Sequence, residues 1–115
     1  MEFDKQLLKG YIDTIILSLL KNEDRYGYDI AKQVRNMSDQ KFEIKEATLY
    51  LGLKRLEKNG NIRAYWSDES AGGGRRKYYS MTSQGRMLFE EKQIEWKFFK
   101  HIINLFLEDK SIEQS

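Results

Sequence analysis

Residues 46–85 read EATLYLGLKRLEKNGNIRAYWSDESAGGGRRKYYSMTSQG, and this stretch constrains the fold more tightly than any other part of the chain. On a 100-degree wheel, Leu49, Gly52, Leu53 and Leu56 fall on one face, which predicts an amphipathic helix over 46–58 packed inward along that stripe. Asn59-Gly60 supplies the left-handed residue that commonly ends a helix. Ile62, Ala64 and Trp66 then alternate with Arg63 and Tyr65, as in a half-buried strand. Ser67 to Gly74 forms the turn, and Arg76 to Met81 returns as a second strand. The order is therefore a helix followed by a two-stranded wing.

The charges of this unit point to a polyanion. Arg75, Arg76 and Lys77 follow three glycines, Gly72, Gly73 and Gly74, which let a backbone approach closely. Asp68 and Glu69 in the same turn would repel phosphate, so only its Gly-Arg side faces the partner. The helix face opposite the apolar stripe carries Ala47, Leu51, Lys54 and Lys58, flanked by Tyr50 on one edge and by Thr48 and Arg55 on the other. A small residue and hydroxyls near the start of a basic face suit a major groove. Lys54 can reach a guanine edge or a phosphate, Thr48 a base or the backbone, and Tyr50 a phosphate oxygen. Taken alone, the same face also reads as an ordinary solvated surface, and it is the wing that shifts the balance. A nucleotide cradle is disfavoured, because neither a Gly-Lys-Ser/Thr ending nor a dinucleotide-binding glycine spacing is present.

Upstream, residues 4–21 place Leu8, Ile12, Ile15, Ile16 and Leu19 at helical spacing, with Leu7, Tyr11 and Leu20 widening the stripe. A second helix is expected from about Tyr26 to Met37, with Tyr26, Ile30 and Val34 on one face. Ser38 to Lys45 is a connector in which Phe42 and Ile44 alternate with charges, a pattern that admits a short strand. Downstream, Thr82 or Ser83 caps a last helix reaching roughly Leu107. The fold class is mainly α with a small antiparallel β wing: a winged helix-turn-helix over residues 1–82, a long dimerisation helix over 83–108 and a frayed tail over 109–115.

Composition sets outer bounds. The chain has 115 residues, enough for one domain with a long terminal element, and a net charge of only +2, so the case for nucleic acid rests on where the charges lie. With no cysteine, disulfides and thiolate metal sites are excluded, which suits a reducing cytoplasm. No secretory signal is expected from the first residues, and the most apolar run, Ile12 to Leu20, is too short to span a bilayer. His101 is the single histidine and stands without a clustered carboxylate, so neither a metal site nor a cofactor is expected. No Gly-x-Ser-x-Gly elbow or other catalytic constellation appears, and an enzyme is not expected.

Five segments together, Leu8-Lys9-Gly10-Tyr11-Ile12-Asp13, Tyr26-Gly27-Tyr28-Asp29-Ile30, Ala47-Thr48-Leu49-Tyr50, Leu53-Lys54-Arg55-Leu56-Glu57-Lys58-Asn59-Gly60 and Gly73-Gly74-Arg75-Arg76-Lys77-Tyr78-Tyr79, resemble the PadR family of bacterial transcriptional regulators. The resemblance covers nearly the whole chain in order. It is strongest to the compact branch with a single C-terminal helix, which includes a lactococcal multidrug-responsive repressor. It implies a winged helix-turn-helix homodimer that represses promoters, often its own. The helix bearing Thr-Leu-Tyr would enter the major groove, and the wing would contact the backbone or the minor groove. The DNA-binding set expected from the residues and the resemblance together is Lys45, Ala47, Thr48, Tyr50, Lys54, Arg55, Gly73, Gly74, Arg75, Arg76 and Lys77.

Two further expectations concern the last helix. At 1.5 Å per residue its roughly 25 residues span about 37 Å, more than the width of a winged-helix core. The overhanging half carries Trp96, Phe98, Phe99, Ile102, Ile103, Leu105, Phe106 and Leu107, a patch larger than monomers tolerate in water. A two-fold dimer through Leu7, Leu8, Tyr11, Phe99, Ile103 and Phe106 covers it, and two recognition helices one turn apart then ask for a palindromic operator in double-stranded DNA. In the drug-responsive branch a tryptophan on the last helix stacks flat aromatic compounds in a central pore, which the resemblance carries to Trp96. Leu7, Gly10, Tyr11, Thr14, Gln93 and Lys100 are the expected companions of a small aromatic effector. Trp96 equally reads as simple interface filling. The lysines around it suit an anionic or neutral aromatic better than a cationic drug. From a different class, a winged-helix module that holds an acidic protein partner, and a protein that coats DNA without sequence preference, remain rival readings.

Overall fold

The computed structural model describes residues 1–68 and 74–108. A 3-10 segment, Lys5–Tyr11, leads into α1 (Ile12–Leu20); β1 (Arg25–Tyr26) and α2 (Gly27–Met37) follow, then α3 (Glu46–Lys58), β2 (Ile62–Trp66), β3 (Lys77–Met81) and α4 (Ser83–Leu107). Each helix donates its apolar stripe to one core. Ile16 and Leu17 of α1, Ile30 of α2 and Leu49, Leu53 and Leu56 of α3 are essentially without solvent contact, and Ile62, Tyr79 and Phe89 close it from the sheet and α4. The inward stripe of α3 is the one expected, with Gly52 inside it. Gly52 lets α3 approach α1: a methyl there would stand 2.8 Å from Ile16 Cδ1.

Four departures from the sequence reading have physical causes. Residues 4–21 do not form one α-helix, because the segment Lys5–Tyr11 winds as a 3-10 helix that buries none of its side chains. Helical propensity alone does not hold seven residues that include Gly10, and Leu7 meets no core. Tyr26 leaves the face of α2 and enters β1, which pairs antiparallel with β3 through Arg25↔Tyr79 and Tyr26↔Tyr78. The wing hairpin therefore belongs to a three-stranded sheet of order β1-β3-β2. The connector holds no strand; Ile44 is nonetheless buried and Phe42 packs on the core. At the far end of β2, Trp66 is exposed, where alternation had placed it with the buried Ile62.

The junctions are fixed by polar contacts. Arg25 donates from Nε to the Leu19 carbonyl at 2.7 Å, satisfying the end of α1, and its guanidinium pairs with Glu23 and Asp29, both at 2.9 Å. Thr82 caps α4 as expected, its Oγ1 accepting from the Gly85 N–H at 3.0 Å. Arg86 reaches back to the Lys21 carbonyl at 3.0 Å and ties the start of α4 to α1.

Candidate nucleic-acid interface

With one face of α3 buried, the opposite face is left to solvent. Ala47, Thr48, Tyr50, Leu51, Lys54 and Lys58 are all exposed, and Lys45 stands at the N-cap position, also exposed. Ala47, Leu51, Lys54 and Lys58 follow one another at intervals of four, three and four residues and so form one ridge along the helix, with Thr48 and Tyr50 on its flanks. None of the ion pairs among the described residues involves Lys45, Lys54 or Lys58. Arg55 is different. Its guanidinium forms a bidentate pair with Asp13 of α1, Nε to Oδ2 at 2.9 Å and Nη2 to Oδ1 at 2.6 Å. That bond pushes the Arg55 pKa up from its ordinary value and binds the flank of α3 to α1. Tyr50 leans the other way, its phenol against Gly27 at the start of α2, where a methyl would collide with it.

The wing pairs Ile62↔Met81 through Trp66↔Lys77, and the Ser67 N–H extends the ladder by donating to the Arg76 carbonyl at 2.8 Å. Gly74, at φ +101, has open space around it, which suits a backbone approached closely from outside. Gly73 lies outside the described residues. The three cations, of which only Lys77 lies within β3, do not act as a block. The Arg75 guanidinium lies 5.8 Å from the Trp66 ring and Lys77 Nζ 5.8 Å from the Tyr79 ring, whereas Arg76 lies 4.8 Å from the ring of Tyr26 in β1.

The outer face of the sheet, reached by Arg76, holds an aromatic row that the sequence reading did not assemble. Tyr28 stacks on Tyr26 at 6.3 Å, Tyr26 meets Tyr78 edge-on at 5.5 Å, and Tyr78 stacks on Tyr65 at 5.8 Å. Tyr65 donates its hydroxyl to Asp24 at 2.6 Å, and that bond is the main reason its pKa is pushed above the ordinary phenol value. The signal for this row was present in the pairs Tyr26-Gly27-Tyr28, Tyr65-Trp66 and Tyr78-Tyr79, but nothing in the linear order shows that β1 lies beside β3.

The sequence that builds this exposed helix face and the cationic hairpin behind it matches the model of the "Transcriptional regulator PadR-like family" over residues 16–91. The chain belongs to the PadR family. Solved relatives agree along nearly its whole length. A transcriptional regulator from Clostridium thermocellum is 43% identical over 92% of this chain and 99% of its own, with a TM-score of 0.85. A PadR family regulator from Clostridium difficile is 49% identical over 85% of this chain and 99% of its own, with a TM-score of 0.76. An uncharacterised protein of Lysinibacillus sphaericus is 47% identical over 102 residues, 89% of this chain and 93% of that one. As a PadR protein the chain is a DNA-binding transcriptional regulator with a winged-helix fold.

In this PadR chain the aromatic site expected on the last helix comes together in part. Tyr11 meets Trp96 edge-on at 5.5 Å, and Phe99 lies 6.1 Å from Trp96 on the same helix. Gly10 and Thr14 face a neighbouring cleft with Lys92 and Leu51. Leu7, Gln93, Lys100, Ile103 and Phe106 are exposed, Leu8 half-buried. No helix among the described residues is long and apolar enough to cross a membrane, and none of their His, Asp or Glu side chains cluster as a metal site would require.

Proposed function

We propose that this PadR regulator is a homodimeric repressor that binds a palindromic operator, its own promoter among the targets. The observation that carries the reading is the ridge of α3, where Ala47, Thr48, Tyr50 and Lys54 are exposed beside a helix face that is wholly buried. Thr48 and Lys54 read base edges or phosphates in the major groove, and Tyr50 and Lys45 contact phosphates. Gly74, Arg75, Arg76 and Lys77 of the wing contact the adjacent backbone or minor groove. Arg55 contributes chiefly through Asp13, by holding α3 at its angle to α1.

The dimer reading rests on α4, whose only buried residues are Gly85 and Phe89 near its start. Phe99, Ile103 and Phe106 then pack on the partner together with Leu7, Leu8 and Tyr11. The aromatic group around Trp96 lies on the same seam and supports relief of repression by a small flat aromatic compound stacking there. Gel shifts on a palindrome from the chain's own promoter test the whole reading. Sequence-selective, salt-sensitive retardation is expected; equal binding to random duplex, or none, would remove the repressor and leave the coating protein or the acidic-partner module. Titrating planar dyes against tryptophan fluorescence, with Trp96→Phe as control, tests the effector. Unchanged emission across several chemical classes would leave Trp96 as interface filling.

A further inference from the structure

A cleft with apolar walls lies away from α4. A cavity of about 340 Å³ opens between the 3-10 segment, the α2–α3 connector and the first turn of α3. Its walls are apolar: Ile12 and Ile44 are buried, and Leu8 and Phe42 half-buried. Its rim is cationic, with Lys5, Lys9 and Lys45 exposed and in none of the ion pairs formed among the described residues; Glu43 is the one carboxylate lining it. Phe3 extends the apolar wall outward, its ring 6.3 Å from that of Phe42. An apolar pit under three lysines fits an occupant with a hydrophobic body and one negative head. The volume is at the small end of the range of about 300–1,000 Å³ for ligand pockets, which corresponds to one or two rings or a short acyl chain. A DNA strand is a poor occupant, since its sugar-phosphate backbone gains nothing from apolar walls.

The position of this cavity has a regulatory consequence. Thr48 and Lys45 line it, and both belong to the DNA-binding set of the proposed function, on which this inference rests. We propose that the cavity binds a small amphipathic monoanion, a carboxylate or sulfonate on an apolar body, which competes with operator DNA for Lys45 and Thr48. The effect is direct exclusion at Lys45 and Thr48, and it is separate from any ligand stacked on Trp96.

The test uses the full chain and 1-naphthalenesulfonate as probe, followed by amide chemical shifts. Saturable shifts are expected at Leu8, Phe42, Ile44 and Thr48. Lys5→Glu, at an exposed position outside the DNA-binding set, should weaken the probe by roughly two- to fivefold, the range for a screened surface charge. Trp96→Ala should leave these shifts in place. In operator titrations the apparent Kd for DNA should rise in proportion to probe concentration without a ceiling. Shifts confined to α4, or an affinity indifferent to Lys5→Glu, would overturn the site; a plateau in the DNA titration would overturn competition. If the probe binds as described but no duplex is retained at all, the site stands and the repressor reading falls, so the two failures are distinguishable.

Discussion

Asp39 and Gln40 show how a single residue can carry a cost that the rest of the turn absorbs. Both lie in the left-handed region, at φ 52 and φ 66, in the turn that sets the angle between α2 and α3. Asparagine, aspartate and glycine visit this region readily, glutamine less so. Gln40→Gly is therefore expected to stabilise the protein by up to about 1 kcal/mol, strain relief exceeding the added chain entropy, and Gln40→Val to destabilise it. Urea unfolding of both variants checks the order. Tyr65 gives a pH signature. Its raised pKa means that the bond to Asp24 contributes fully below the unfolded-state value of about 10 and is lost as pH climbs through the higher folded value. Burial also pushes the Tyr79 pKa up, so phenolate absorbance should show a late-titrating component of which the Tyr65 share is lost in Tyr65→Phe; an unaltered late component would mean the bond does not persist in solution. Neither pairing was legible in the sequence. Tyr65 is 41 positions from Asp24 and Arg55 is 42 from Asp13, and charges this common find partners only once the elements dock.

At the scale of the element, legibility followed periodicity. The bounds of α3 and α4 could be read because a long apolar stripe, an Asn-Gly stop and a Thr cap each act locally. β1 could not, since two residues carry no period, and the 3-10 segment has the apolar spacing of an α-helix but no core to meet. The candidate site divides the same way: the α3 ridge and the wing cations follow from local pattern, whereas the tyrosine row and the lysine-rimmed cavity need the tertiary arrangement. Two glycines test the docking of elements. At Gly27 an added methyl meets the far end of the Tyr50 side chain, which can swing aside. Gly27→Ala should cost little stability but misplace Tyr50 and weaken operator binding. At Gly85 the methyl meets the backbone carbonyl of Asn61, which cannot yield without moving the β2 junction. Gly85→Ala should destabilise by about 1–3 kcal/mol, as overpacking does. Thermal melts and DNA titrations on both variants separate the cases; the opposite ranking would show that the Tyr50 contact, not the Asn61 contact, is the rigid one.

The whole molecule is longer than its core requires. Its radius of gyration is 17.1 Å and its long axis 63 Å, against about 13 Å for the radius of a compact domain near this length. The excess is α4, whose far half exposes Phe98, Phe99, Ile103, Leu105, Phe106 and Leu107 among its charged residues, Phe106 being 79% accessible. A side chain so little covered by its own chain should matter little to that chain's stability, within about 0.5 kcal/mol for such a surface change. Phe106→Glu thus separates fold from assembly. If α4 is the seam of a dimer, the variant should sediment as a monomer at concentrations where the parent is dimeric, while keeping its far-ultraviolet dichroism. Its operator affinity should fall about a hundredfold or more, because two linked half-site contacts become one. The salt dependence should fall with it: about eight phosphate contacts per dimer give a slope of log K against log salt near −7, and half that number a slope near −3.5. A variant that remains dimeric, or that loses its dimer yet keeps the full slope, would move the assembly surface elsewhere and leave the apolar end of α4 in need of a different partner.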